Sequence, residues 1–203
     1  MTAPRRMGTE SSKTRRQLLD VTERLMLREG YASVGIRRVA REAEVAPALV
    51  LYYFRTLDDL LLAVLRRRAE EELETSARVL DSPQPLRALW DMSSQPGAAL
   101  TSEFMALANH RKAIRAELAE HAERYRRLQV EILTRKAAEE CLPLPDVPPV
   151  ALLVLTTALA RVLVIERGLG MTGGHAETEA LVEQLLQRFE GTPAPGRGPA
   201  ASE

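Results

Sequence analysis

One cysteine in 203 residues, Cys141, excludes an intrachain disulfide, and nothing in the chain suggests an oxidising compartment. Aromatic residues are only 4% of the composition. Their scarcity, beside abundant Ala, Leu, Glu and Arg, argues against a β-rich fold and for helices. Long uncharged apolar runs are missing too. No segment reaches about 18 consecutive such residues, and residues 1–13 are polar with no apolar h-region, so the protein is expected to be soluble and cytoplasmic, with no membrane partner. Catalytic constellations are also absent. There is no Cys/His pairing at metal-ligand spacing, no nucleophile beside an evident base and no Gly-rich phosphate loop, so neither enzyme activity nor a cofactor or metal is expected. His110 and His121 lie on one helical face but three turns apart, too far to share an ion. The stretch Glu139, Glu140, Cys141 reads as a helix end with a spectator thiol.

Net charge is also lacking, which excludes a uniformly basic nucleic-acid binder, but the zero conceals a polarity along the chain. Residues 1–68 carry 14 Lys and Arg against 8 Asp and Glu, and the remainder carries the opposite excess. One end is therefore suited to meeting an anion such as phosphate.

The apolar spacing predicts helices throughout. Leu18, Val21 and Leu25 stripe a first helix from Lys13 to Arg28, which Gly30 stops. Ile36, Val39, Ala40 and Ala43 give a second of barely two turns, closed around Glu44 and Val45. Pro47 opens a third, to Tyr53, with Val50 and Phe54 on its inner face. The fourth, from Leu57 to about Leu80, has Asp58 and Asp59 in its first turn and looks like a spacer. Further helices follow Pro85 and Pro96, then one of roughly 28 residues striped by Ile114, Leu118, Tyr125, Leu128 and Ile132. Val150–Ile165 is almost wholly apolar, interrupted by Arg161, and a last helix carries Ala180, Leu181, Leu185 and Phe189. These two offer more apolar face than one subunit buries easily, so a homodimer seam is expected there. The expected fold is all-α: a flexible basic arm (1–12), a segment of three short helices (13–56), a bundle of about five to six helices that holds the dimer seam (57–190) and a disordered tail (191–203).

The run Gly30–Leu60 carries Gly30, Tyr31, Ile36, Val39, Ala40, Ala43, Val45, Val50, Tyr53, Phe54, Thr56, Asp58 and Leu60 at the spacings of the tetracycline-repressor-like (TetR) DNA-binding domain, which it resembles. It departs from that pattern where the family has a turn Gly (Glu44), a Ser (Ala46), a Thr-[Ser/Thr] pair (Val34, Gly35) and a Lys opening the fourth helix (Leu57). The pattern asks for a second helix whose outer face is small or flat enough for a major groove about 12 Å wide. Here that face is Ala46, Pro47, Ala48, Leu49 and Tyr52.

The resemblance implies that Pro47, Ala48 and Leu49 lie against base edges, that Tyr52 and Tyr53 reach flanking phosphates, and that Arg37 points into the groove, where a guanidinium can grip guanine with two hydrogen bonds. Arg38 is assigned to phosphate. Ser33 is expected to replace the lost cap of helix two, whose first amides near Gly35 can bind phosphate. Arg5, Arg6, Lys13, Arg15 and Arg16 are expected to add backbone or minor-groove contacts. The resemblance makes residues 13–56 a helix-turn-helix DNA-binding domain and residues 57–190 an effector-binding and dimerisation domain, with a small-molecule effector held among Trp90, Phe104, Met105, Asn109, His121, Tyr125, Leu128 and Glu166. The function so implied is a dimeric repressor on a palindromic duplex, released by an apolar or amphipathic ligand. The alternative is a helical dimeric interaction or ligand-binding module that has lost operator binding, and salt-dependent duplex binding separates the two.

Overall fold

The computed structural model describes residues 13–95, 98–140 and 147–191. The expected arm, all of the expected tail but Gly191, and Cys141 lie outside these residues. The described residues form nine α-helices and no strand: α1 (Lys13–Glu29), α2 (Ile36–Glu42), α3 (Pro47–Tyr53), α4 (Leu57–Leu80), α5 (Pro85–Ser93), α6 (Ala98–Ala108), α7 (Lys112–Glu140), α8 (Pro149–Gly168) and α9 (His175–Glu190), with one 3-10 turn at Tyr31–Ser33. They divide into two compact units. One takes the chain to Glu74 with Pro96–Tyr125, and the other takes Thr75–Gln95 with the chain from Arg126. The boundary expected at residues 56 and 57 falls inside the first unit.

In the first unit the stripes of α1 to α4 meet those of α6 and the start of α7. Leu18, Met26, Val39, Val50, Leu60, Phe104 and Ile114 are all essentially inaccessible. Phe54 also lies in this core. Helix α4 starts on a capping box: the Asp59 N–H donates to Thr56 Oγ1 (3.0 Å) and the Thr56 N–H to Asp59 Oδ2 (3.1 Å). Two of the amides that a helix start leaves unpaired are thereby satisfied. Leu57, where the family has Lys, packs partly buried against the same core. Polar ties reinforce it. Arg67 of α4 donates to Asp20 (2.5 Å) and Glu23 (2.7 Å) of α1, and Arg111 pairs with Asp58.

The second unit is built on Leu80, Leu86, Leu89, Ile132, Leu133, Leu153 and Leu186. The buried Lys136 holds the turn that follows α4, donating to the carbonyls of Asp81 (3.0 Å) and Ser82 (3.2 Å). On α9 the inward face is Val182, Leu186 and Phe189. Of the stripe expected from sequence, Phe189 alone packs inward: Leu181 sits about 100° around the helix from that face, Leu185 lies at its edge, and both are exposed. Helix α8 buries little more than Leu153, Ala160 and Leu163. By length and composition α8 could cross a membrane, contrary to the expectation from uninterrupted apolar runs, since its hydropathy tolerates Arg161 and two threonines.

The start of α5 is held by the end of α9. The Glu190 carboxylate accepts the N–H groups of Leu86 (2.5 Å) and Arg87 (2.9 Å), and Arg87 grips Glu183 with two hydrogen bonds of 2.7 and 2.9 Å. Burial pushes Glu190 above the ordinary carboxylate range, whereas the Arg87 hydrogen bonds hold Glu183 below it. A carboxyl lowered in the folded state stabilises the fold above its unfolded pKa, and that contribution is lost as pH falls through the folded value. Glu183→Gln is therefore expected to flatten the loss of melting temperature between neutral pH and about pH 3, checked by thermal unfolding across that range. An unchanged pH slope would contradict it.

Candidate nucleic-acid interface

The geometry of the α2–turn–α3 segment follows from how α2 ends. The Glu44 N–H donates to the Arg41 carbonyl (3.2 Å) and the Val45 N–H to the Ala40 carbonyl (2.9 Å), the paired bonds of a Schellman ending, with Glu44 left-handed at φ 55°. Here the family pattern has Gly, and the backbone keeps the glycine conformation with a side chain present. Such a residue costs about 1–2 kcal/mol, partly offset by the greater freedom glycine has when unfolded. Glu44→Gly is accordingly expected to stabilise the protein by roughly 0.5–1 kcal/mol in denaturant titration, and a destabilised variant would mean that the carboxylate has a compensating partner. From α1, Gln17 Nε2 donates to the Ala43 carbonyl (3.0 Å), fixing the turn against the first helix.

Helix α3 leaves this turn with Ala46 as its cap, providing no side-chain hydrogen bond, and Pro47 in its first turn. Val50 is fully buried and pins α3 from behind. The side away from Val50 has Ala48, Leu51 and Tyr52 exposed and Leu49 half-buried, Ala46 and Pro47 are exposed at the helix start, and none of these residues carries a charge. Tyr52 is 46% exposed and stacks edge-on against Tyr53 (5.3 Å), whereas Tyr53 itself packs on the core.

Around this face the arginines divide. Arg37, one residue into α2, is exposed. Arg38 donates to Glu29 (2.8 Å) and lies 3.3 Å from Glu42, so its charge is already paired within the protein. Arg15 lies over the Phe54 ring at 5.1 Å, joining α1 to the end of α3. Lys13 and Arg16 are exposed, while Arg5 and Arg6 are outside the described residues. Ser33 does not cap α2 as expected. Its hydroxyl donates back to the Gly30 carbonyl (2.8 Å), and the cap is Gly35, with no side-chain bond. The 3-10 turn places Ser33 too early in the chain to reach the first amides of α2.

The residues expected to hold an effector fall into both units. In the first, Phe104 and His121 line a cavity of about 30 Å³ together with Leu65, Glu72, Leu100 and Leu118. His121 Nε2 is 3.0 Å from Glu72 Oε2, its ring lies 5.8 Å from Tyr125, and its buried Nδ1 has no hydrogen-bond partner among the described residues. Met105 and Asn109 are exposed. In the second unit Trp90 and Leu128 pack on the core, and Glu166 pairs with the buried His175 at 2.8 Å. Sequence reasoning passed over Glu72 within the charged run of α4, although its spacing from Leu65 and Ala69 puts it on that helix's inner stripe.

Residues 18–64 match the family of bacterial regulatory proteins described as tetR. The nicotine-responsive helix-turn-helix transcriptional repressor of Paenarthrobacter nicotinovorans is 31% identical over 75 residues, 37% of this chain and 39% of that protein. This chain thus spans about two fifths of the curated relatives it matches. Among solved structures, the reduced form of NemR from E. coli superposes with a TM-score of 0.72 at 19% identity, over 89% of this chain and all of that one. A transcriptional regulator from Saccharomonospora viridis in complex with choline superposes at 0.71 with 21% identity, over 86% and 94%. The match to the tetR family of bacterial regulatory proteins is confined to residues 18–64, and the described residues share the fold of these solved regulators.

Proposed function

We propose that the protein is a homodimeric, sequence-specific DNA-binding transcriptional regulator acting in the cytoplasm, a repressor released from a palindromic operator by a small apolar or amphipathic effector. The observation that carries this reading is the uncharged outer face of α3, with Val50 buried behind it and Arg37 exposed near the start of the preceding helix α2. A helix so presented can lie in a major groove and touch thymine methyls, while Arg37 supplies a directional donor. Pro47, Ala48 and Leu49 serve as the base-facing residues, with Tyr52 and the amides near Gly35 toward phosphate.

Dimerisation is supported by α8 and α9, which expose Leu155 (64%), Val162 (48%) and Leu181 (56%) within one continuous chain segment. A lipid setting for α8 is disfavoured by Arg161, because arginine at a bilayer centre costs about 2.5–3.5 kcal/mol even on insertion scales. Effector release is supported by relatives: one repressor is named nicotine-responsive and one regulator of the same fold binds choline.

The reading is tested by selecting bound duplexes from a random pool at moderate salt and titrating the winner against a scrambled duplex. The expected product is a palindrome with half-sites about 34–36 Å apart or a multiple of that. Recovery of no preferred sequence would overturn the proposal and favour the interaction module.

A further inference from the structure

Helix α6 has two duties within the first unit. One side, through Leu100, Thr101 and Phe104, walls the small cavity that also holds Leu118, Glu72 and the buried His121. On another side Glu103 reaches the connection between α1 and α2. Its Oε2 accepts the Tyr31 N–H at 2.6 Å, a charge-assisted bond and a short one. Gly30 suits this turn because it holds φ +78°, a conformation that residues with a side chain rarely adopt.

The connection is closed on itself. Ser33 Oγ bonds the Gly30 carbonyl, and the Val34 N–H bonds the Tyr31 carbonyl (3.1 Å), so the turn moves as a piece. It leads straight to Gly35, which caps α2 without any side-chain bond, and then to Arg37. Nothing in the cap therefore fixes the start of α2 independently of the turn.

We infer that Glu103 is a positioning residue for DNA recognition, relaying displacement of α6 by a cavity occupant to the start of α2 and to Arg37. This rests on the DNA-binding reading above. The cavity, at about 30 Å³, has room for roughly one water, so any larger occupant must push its walls apart. An N–H···O bond of 2.6 Å leaves hydrogen-bonding range after a shift of only about 1 Å. Glu103 is next in sequence to Phe104, so it travels with the wall.

The test uses Thr101→Phe as a built-in occupant, Glu103→Ala to cut the tether, and Glu103→Gln to keep an acceptor without the charge, all in the full chain. Thr101→Phe and Glu103→Ala are each expected to weaken the selected duplex about tenfold, leaving the scrambled duplex unchanged, and Glu103→Gln to stay within about threefold. Combining Thr101→Phe with Glu103→Ala is expected to add nothing further. Additive losses, or equal losses on both duplexes, would overturn the relay. If Glu103→Ala does not fold, amide exchange of Tyr31 in the Thr101→Phe protein decides: faster exchange, with neighbouring α1 amides unchanged, supports the relay, and unchanged protection overturns it. That readout needs no DNA. Failure of the DNA-binding reading, in which the wild-type chain selects no duplex, is therefore distinguished from failure of the relay.

Discussion

Leu155→Glu is expected to leave each protomer folded and to abolish the dimer, and with it operator binding. Leu155 is 64% exposed in the protomer, so the substitution removes almost no internal packing. What it changes is the surface. Val150, Val154, Leu159, Val162 and Ile165 on the same helix, with Leu185 on α9, are all large, apolar and exposed, more than a monomer ordinarily presents to water. In a twofold seam the leucine is buried twice, each burial contributing about 1.5–3 kcal/mol, and two glutamates would be brought close at the same place. Loss of even half of that weakens association by roughly 10- to 150-fold. Sedimentation velocity at micromolar protein should then show a monomer with unchanged circular dichroism, and duplex titration should show weak, sequence-independent binding. A variant that stays dimeric and binds the palindrome normally would place the seam elsewhere.

The helices were legible because their signals are local. Pro47 with Val50 set the start and the inner face of α3, and the 3.6-residue stripe of α1 matches its buried residues Leu18, Val21 and Leu25. The proposed recognition face could be drawn from sequence for the same reason, since it lies on one short helix. What escaped depends on contacts distant in sequence. Arg37 and Arg38 are neighbours of identical type, and only the fold brings Glu29 against the second of them. Glu103 looks like one more polar residue until the turn after α1 delivers the Tyr31 N–H to it. The loss of a turn glycine at Glu44 suggested a damaged motif, yet the Schellman bonds hold that residue left-handed regardless. Backbone hydrogen bonding and the packing of the half-buried Val45 against the core outweigh a local penalty of about 1–2 kcal/mol.

The two adjacent arginines also give the sharpest test of the recognition face. Arg37→Ala is expected to reduce discrimination between the selected palindrome and a scrambled duplex by roughly five- to 150-fold, the worth of one bidentate guanine contact of about 1–3 kcal/mol. Arg38→Ala is expected to weaken both duplexes by a common, smaller factor. Its guanidinium is held by Glu29 and Glu42, so removing it frees two carboxylates near the phosphates and raises a repulsion that no base sequence relieves. Titration of both variants on both duplexes at two salt concentrations separates the cases, because a charge effect grows as salt is lowered and a base contact does so far less. If Arg37→Ala lowered the two affinities equally, Arg37 would be a phosphate contact, and sequence reading would rest on the apolar face of Pro47, Ala48 and Leu49 alone. Such a surface senses thymine methyls and groove shape but has no donor for guanine, so the selected palindrome would then be expected to lack a fixed G·C pair in either half-site.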